Sequence, residues 1–385
     1  MNLKIFFSSI PEYTYEGIST PGSFYKNISI FSEMQPDYKG MSIAIIGLPD
    51  RADPSEDNPY HAANEIRKKL YQLKKGFGNY RIVDLGNLRA GIDKDETQMR
   101  LKEVCNMLIE QDILPIVIGG SHDYTYGQYM AYEPMEKLVS VLCVDAFLDI
   151  SDDKSKVSEY NHIHKMLMHE PNFLFNFCLL GYQSYLIEQE ALLMLEKLYF
   201  ETYRLGHLRQ NLSEMEPVIR EADLMSFDLA AIKSSDAPGT LKAQPFGLTG
   251  EEACQICWYA GINEKLSSVG FYGYAPDVDE PNKKTAAVAA TMVWYFIEGF
   301  YHRKDESNFR GHDYLRYVVS MPEDPATLVF YRSKLSDKWW LEVPYPHGKF
   351  MYERNLIVPC SYADYQTAQR GEIPERWIYT QNKLI

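Results

Sequence analysis

The chain has 385 residues, 45% of them hydrophobic, and a formal net charge of −14. It is long enough to bury a large core. The acidic balance, with no Lys/Arg-rich run, argues against nucleic acid or an anionic membrane as a partner. There is no apolar stretch of the eighteen or so residues that a membrane span needs, and the apolar part of the N-terminus, residues 3–7, is too short for a signal peptide. The expected location is therefore the cytoplasm. Six cysteines in a chain of this length do not make a disulfide framework.

In chain order, short apolar runs at residues 42–48, 80–85, 113–118, 140–144, 173–180, 224–227 and 267–272 predict strands. Between them, residues 62–74, 94–111, 188–199 and 251–260 carry helical periodicity, and a long apolar helix is predicted over 285–301. Buried strands alternating with helices imply a parallel sheet covered on both faces. Ligands in such sheets bind beyond the carboxyl ends of the strands. After a polar stretch at 302–312 the pattern changes. Residues 314–321 and 326–332 predict a β-hairpin, followed by the apolar segment 339–343 and a Tyr/Pro-rich tail. The expected division is a main α/β domain over 1–302 with a C-terminal appendage over 303–385 packed on it.

Three strand ends carry polar residues. The run at 115–118 ends in Gly119-Gly120-Ser121-His122. Two glycines permit a tight turn, and His122 reads as a metal ligand or as a structural hydrogen-bonder. The run at 141–144 ends in Asp145-Ala146-Phe147-Leu148-Asp149. A turn there aims Asp145 and Asp149 into one crevice, or Asp149 opens a capped loop with Ser151, Asp152 and Asp153. The run at 224–227 ends in Asp228, and Pro238-Gly239-Thr240 marks a turn beyond it. Taken together these offer one histidine and three aspartates. Converging carboxylates repel one another and are costly to desolvate unless a cation neutralises them. Oxygen ligands with one imidazole suit Mn2+, with Mg2+ or Zn2+ as weaker candidates.

On these residues the chain resembles the ureohydrolases: arginase, agmatinase and formimidoylglutamase. The family pattern Gly-Gly-x-His is matched by Gly119-Gly120-Ser121-His122. Asp-Ala-His-x-Asp is matched in part by Asp145-Ala146-Phe147-Leu148-Asp149, and Ser-x-Asp-x-Asp in part by Ser226-Phe227-Asp228-Leu229-Ala230. Gly247-Leu248-Thr249-Gly250-Glu251-Glu252 resembles Gly-Leu-Thr-x-x-Glu, and Asp84-Leu85-Gly86 and Ile66-Arg67 also fit. The likeness covers roughly residues 42–300.

The resemblance implies a three-layer α/β/α sandwich around a mostly parallel eight-stranded sheet. It also implies two Mn2+ ions, a small-molecule guanidino or formimino substrate, and Glu252 as a contact to the substrate amidine. The family's habit of forming oligomers adds a homo-oligomer as a candidate state, which the sequence does not fix. His122, Asp145, Asp149 and Asp228 match the complete ligand set of one metal. The two private ligands of the other metal are replaced by Phe147 and Ala230, neither of which binds a metal. The expectation is thus one divalent ion, Mn2+ first among candidates, with the second position lost. Lys233 stands where another family aspartate would be and reads as a solvated loop lysine. Residues 180–186 carry none of the acidic groups with which arginases hold their substrate's α-amino group, so a formimidoylglutamase-like substrate fits better than arginine. A family histidine that assists proton transfer maps to His162 or His164.

Two function classes follow from this. The first is a hydrolase cleaving a C–N bond in a linear amidine with one ion. The second is a catalytically inactive binding or assembly protein on the same fold. The Cys254-x-x-Cys257 pair sits on a predicted helix and reads as packing. Trp339-Trp340 and the tail tyrosines fit subunit contact or intrachain packing equally.

Overall fold

The computed structural model describes residues 3–34, 36–50, 59–150, 161–306, 309, 312–345 and 356–384. Two short strands come first, β1 (Phe7–Ser8) and β2 (Ser29–Ile30). They are followed by β3 (Ile43–Gly47), α1 (His61–Leu70), β4 (Ile82–Leu88), α2 (Lys94–Ile109) and β5 (Leu114–Ile118). Next are α3 (Thr125–Met130), β6 (Val139–Val144), α4 (His162–Leu167), β7 (Leu174–Tyr182), α5 (Gln189–Lys197) and β8 (Glu201–Arg204). The main unit closes with α6 (Leu205–Gln210), α7 (Glu216–Arg220), β9 (Leu224–Asp228), α8 (Gly250–Gly261), β10 (Ser268–Tyr272) and α9 (Lys284–Phe300).

The eight longer strands form one sheet in the order β4-β3-β5-β10-β9-β6-β7-β8, every neighbouring pair parallel. Both two-residue strands pair with β4, β1 antiparallel and β2 parallel. The expected eight-stranded sandwich is therefore present, with a small extension at one edge. Seven of the eight strands coincide with the apolar runs. The eighth, β8, is Glu-Thr-Tyr-Arg at an edge, where one side of the strand needs no apolar neighbour.

Alternation along the strands sends residues to two faces. Ile43 and Ile45 pack with α1, α8 and α9, while Ala44 and Ile46 pack with α2. Val141, Cys143, Phe177 and Leu179 carry the second face on to α3, α4 and α5. No helix is long and apolar enough to cross a membrane among the described residues. The buried α9 is the predicted helix of 285–301, shifted by one residue at each end.

Helices α8 and α9 approach closely through two glycines. A Cβ on Gly261 would sit 2.3 Å from the carbonyl oxygen of Phe296 and 2.9 Å from Gly299 Cα. On an isolated helix Gly→Ala gains about 1 kcal/mol. Here Gly261→Ala is expected to cost roughly 1–3 kcal/mol instead, because the backbones must part. Urea denaturation checks the sign, and a stabilised variant would refute the contact.

The C-terminal segment forms a four-stranded antiparallel sheet, β11 (Tyr314–Ser320), β12 (Thr327–Ser333), β13 (Trp339–Val343) and β14 (Leu356–Cys360), where the sequence predicted only its first hairpin. Helices α10 (Tyr362–Gln369) and α11 (Glu375–Leu384) lie on it. Trp339 stacks on Tyr365 at 4.8 Å and Trp340 lies under the Arg220 guanidinium at 4.3 Å, so both tryptophans are used within the chain. Arg220 also donates to the carbonyl oxygens of Trp339 and Cys360 at 3.1 and 3.4 Å, joining this sheet to the end of α7. Residues 346–355 and 385 of the Tyr/Pro-rich tail, part of the polar stretch after residue 302, and Ser151, Asp152 and Asp153 lie outside the described residues.

Candidate metal centre

The three motifs follow β5, β6 and β9, three of the four strands in the run β5-β10-β9-β6 at the middle of the sheet. Because the strands are parallel, all three motifs emerge at the same carboxyl edge. After β5 the chain turns through Gly119 and Gly120, at φ +81° and +73°, a conformation that side chains resist. The turn delivers His122 inward. Gly273, at φ +79° after β10, lets Asp228 sit close: a Cβ there would meet Asp228 Oδ1 at 2.4 Å.

His122 Nδ1 faces three carboxylates at once. It lies 3.0 Å from Asp145 Oδ2, 3.5 Å from Asp149 Oδ2 and 3.4 Å from Asp228 Oδ2, all four side chains being buried. Yet His122 Nδ1, Asp145 Oδ2 and Asp149 Oδ2 make no hydrogen bond, which is costly for buried polar atoms. The ligand atoms of His122, Asp145 and Asp149 lie within 4.8 Å of one another. The other ring nitrogen, His122 Nε2, lies 2.7 Å from Ser226 Oγ, which in turn lies 2.5 Å from Thr125 Oγ1. A proton held on Nε2 leaves the Nδ1 lone pair for a metal, the usual way in which a neighbour sets the ligand tautomer. Unpaired oxygens, a presented imidazole and an oxygen-rich set of this kind fit a divalent cation of the Mn2+ class.

The electrostatics reflect the crowding. Burial and the Asp228 charge push the Asp145 carboxyl up to about 6, against the pull of His122. Burial alone would raise Asp149 as well, but contact with His122 and the nearby His162 and Lys242 bring it down to about 2. Burial works against a charged His122, but Cys143, Asp145 and Asp149 outweigh it and hold the imidazolium well above its ordinary range. His162 goes the opposite way: burial and the His122 charge hold it well below the ordinary range.

Of the two candidate histidines, His162 is the one brought to this cluster. Its ring centroid is 4.4 Å from that of His122, its Nδ1 is 3.7 Å from Asp149 Oδ2, and neither of its ring nitrogens has a hydrogen-bond partner. His164 is two residues on along α4, about 200° round the helix, and so faces elsewhere. Phe147 and Ala230 contribute backbone: Phe147 N donates to Asp145 Oδ1 at 3.1 Å and Ala230 N to Asp228 Oδ1 at 2.8 Å.

Glu252 is placed at the third position of α8. There it forms a capping box with Thr249, its Oε2 accepting from Thr249 N at 2.7 Å, and an ion pair with Arg209 at 3.3 Å. Lys233 pairs with Asp236 at 3.4 Å. Gln183, in the segment that departs from arginases, is buried and donates to the Phe246 carbonyl oxygen at 2.7 Å.

Sequence reasoning missed Lys242. It lies in the connection before α8, with Nζ 3.4 Å from Asp149 Oδ1 and 5.2 Å from the centre of the Phe147 ring. A cavity of about 130 Å3 opens over the cluster, walled by Asp50, His122, Asp228, Ala230, Lys242 and Tyr274 among others.

The chain is thus an α/β protein with a doubly covered parallel sheet and an acidic, imidazole-bearing cluster at its carboxyl edge. Residues 41–298 match the arginase family, and the chain belongs to that family. It is 26% identical over 267 residues to a formimidoylglutamase of Geobacillus sp. (strain WCH70), covering 66% of this chain and 81% of that protein. To the formimidoylglutamase of Lysinibacillus sphaericus (strain C3-41) it is 22% identical over 242 residues, covering 60% and 75%. The fold is similar to that of formimidoylglutamase from Bacillus subtilis subsp. subtilis str. 168, with a TM-score of 0.63, 17% identity, and coverage of 76% of this chain and 98% of that one. It is also similar to Trypanosoma cruzi formiminoglutamase solved with Mn2+, with a TM-score of 0.62, 20% identity, and coverage of 70% and 96%.

Proposed function

We propose that the chain is a hydrolase that cleaves a C–N bond in a linear amidine, a formimino or guanidino compound, using one ion of the Mn2+ class. The observation that supports this is the convergence of His122 Nδ1 with Asp145 Oδ2, Asp149 Oδ2 and Asp228 Oδ2, at 3.0, 3.5 and 3.4 Å, in a buried centre. One ion satisfies them all. Such an ion supplies Lewis-acid polarisation and a hydroxide source at neutral pH. The chain's own residues do the rest. Ser226 holds the His122 ring, and the backbone amides of residues 147 and 230 hold two carboxylates. His162, the candidate proton-transfer histidine, stands beside Asp149 with its Nδ1 3.7 Å from Oδ2, and release of the His122 proton on metal binding would remove one of the charges that hold its pKa down. The family resemblance gives Glu252 the contact to the substrate amidine, whereas its two oxygens here are held by Thr249 N and Arg209 and it is not among the residues that line the cavity. Residues 303–385 serve as an appendage to this unit, and the whole acts in the cytoplasm on a small molecule.

Elemental analysis after purification in Mn2+ buffer, followed by assay on formimino and guanidino compounds, tests the reading. The expected result is one ion per chain and turnover that depends on it. A metal-free chain, inert with every compound, would favour the second reading. In that reading Phe147 and Ala230 mark a former active site kept as a binding or assembly module.

The metal-free site holds a proton on His122 that an ion must displace. Mn2+ affinity is therefore expected to rise with pH, about tenfold per unit for each proton released, while His122 would otherwise be charged. Below about 6 the Asp145 proton is displaced too, and the dependence steepens. Calorimetric titration in buffers of different ionisation enthalpy counts the protons. Binding without proton release contradicts His122 as a ligand.

A further inference from the structure

Each of the three carboxylates at the centre turns Oδ2 toward His122 and has its Oδ1 engaged on the other side. For Asp145 and Asp228 the engaging group is a backbone amide, that of Phe147 and of Ala230. For Asp149 it is a full positive charge, Lys242 Nζ at 3.4 Å. Lys242 lies 93 residues further along the chain, so the contact is made by the fold and not by local sequence. The same ammonium stands 5.2 Å from the centre of the Phe147 ring. A carboxylate on one side and an aromatic face on the other make a seat for a cation.

We propose that Lys242 is the built-in second cation of this centre. Its ammonium offsets the charge that one divalent ion leaves over, turns Asp149 Oδ2 toward that ion, and keeps a second ion out. The proposal rests on the single-ion reading above. Asp145, Asp149 and Asp228 bring three negative charges, a divalent ion supplies two positive ones, and Lys242 supplies the third. A buried cluster of charges is stable only near neutrality. Phe147 and Ala230 then belong to the same device: the ring gives the ammonium a face, and the methyl group at 230 adds no further charge to the cavity wall that it shares with Lys242.

The test counts Mn2+ per folded chain by elemental analysis and calorimetric titration in four proteins. These are the wild type, Phe147→His/Ala230→Asp, the same pair with Lys242→Ala, and the same pair with Lys242→Arg. The expected counts are one, one, two and one. Two ions in the double variant, with Lys242 intact, would overturn the proposal, as would a folded Lys242→Ala triple variant that stays at one. If the triple variant does not fold, Phe147→His/Lys242→Ala compared with Phe147→His decides the matter in millimolar Mn2+. Only the former should take up a second ion, and equal counts overturn the proposal. A wild type without any ion refutes the single-ion reading itself, a result distinct from either failure of Lys242.

Discussion

Asp149→Ala is expected to strip the chain of its ion. Groups one step removed from a metal ligand already cost roughly 10- to 100-fold in affinity when lost. A ligand flanked by His122 and Lys242 should cost at least about 100-fold. The fold should survive, because removing one of three crowded carboxylates relieves repulsion in the metal-free state. A thermal shift assay separates the two effects. Wild type should gain about 2.7 kcal/mol when Mn2+ reaches a hundred times its Kd. The variant should gain nothing at that concentration while matching or exceeding the wild type's metal-free Tm. If the variant binds Mn2+ as tightly as wild type, the ion sits elsewhere.

Arg67→Met should be the most destabilising single change outside the centre. Arg67, on α1, is fully buried and forks onto Asp84 of β4, with Nε to Oδ2 and Nη2 to Oδ1 both at 2.9 Å. Its remaining protons reach Asn87 Oδ1 at 2.5 Å and the Gly86 carbonyl oxygen at 2.8 Å. Tyr71 OH also donates to Asp84 Oδ2 at 2.8 Å. Removing one member leaves a charge with no counterpart in the core, a change that typically costs about 3–5 kcal/mol. Arg67→Met/Asp84→Leu should recover most of the loss, since an apolar pair of similar volume is often tolerated there. A loss below about 1 kcal/mol in urea denaturation would contradict the buried pair. The resemblance at Ile66-Arg67 and Asp84-Leu85-Gly86 thus points to a clamp between helix and sheet, away from the centre.

The sheet was legible in the sequence wherever burial on both faces demands continuous apolar runs, as in Ile43–Gly47 or Leu114–Ile118. It was not legible at Glu201–Arg204, an edge strand with polar side chains. That four side chains meet at one centre was legible because a parallel sheet brings its strand ends together: His122, Asp145 and Asp228 follow strands, and Asp149 lies four residues after Asp145. The choice between His162 and His164 needed the rotation of α4, which a six-residue helix does not reveal by periodicity. Lys242 was invisible for another reason. It lies in an irregular connection, and nothing in its neighbours indicates a partner 93 residues away. Lys233, the lysine that motif position brought forward, pairs locally with Asp236 instead.

The six cysteines, all unpaired and all buried, make the protein a set of clocks for its own opening. Burial pushes the Cys143 thiol up to about 11, despite the neighbouring His122, and raises Cys105 and Cys360 as well. None reacts until the chain around it parts, because only an exposed thiolate is a nucleophile. Cys143 reports on the strand beneath the centre, Cys105 on the packing of α2, and Cys360 on the C-terminal sheet. A pulse of alkylating reagent followed by mass spectrometry therefore reads out which layer opens first. Added Mn2+ should slow the reaction at Cys143 most.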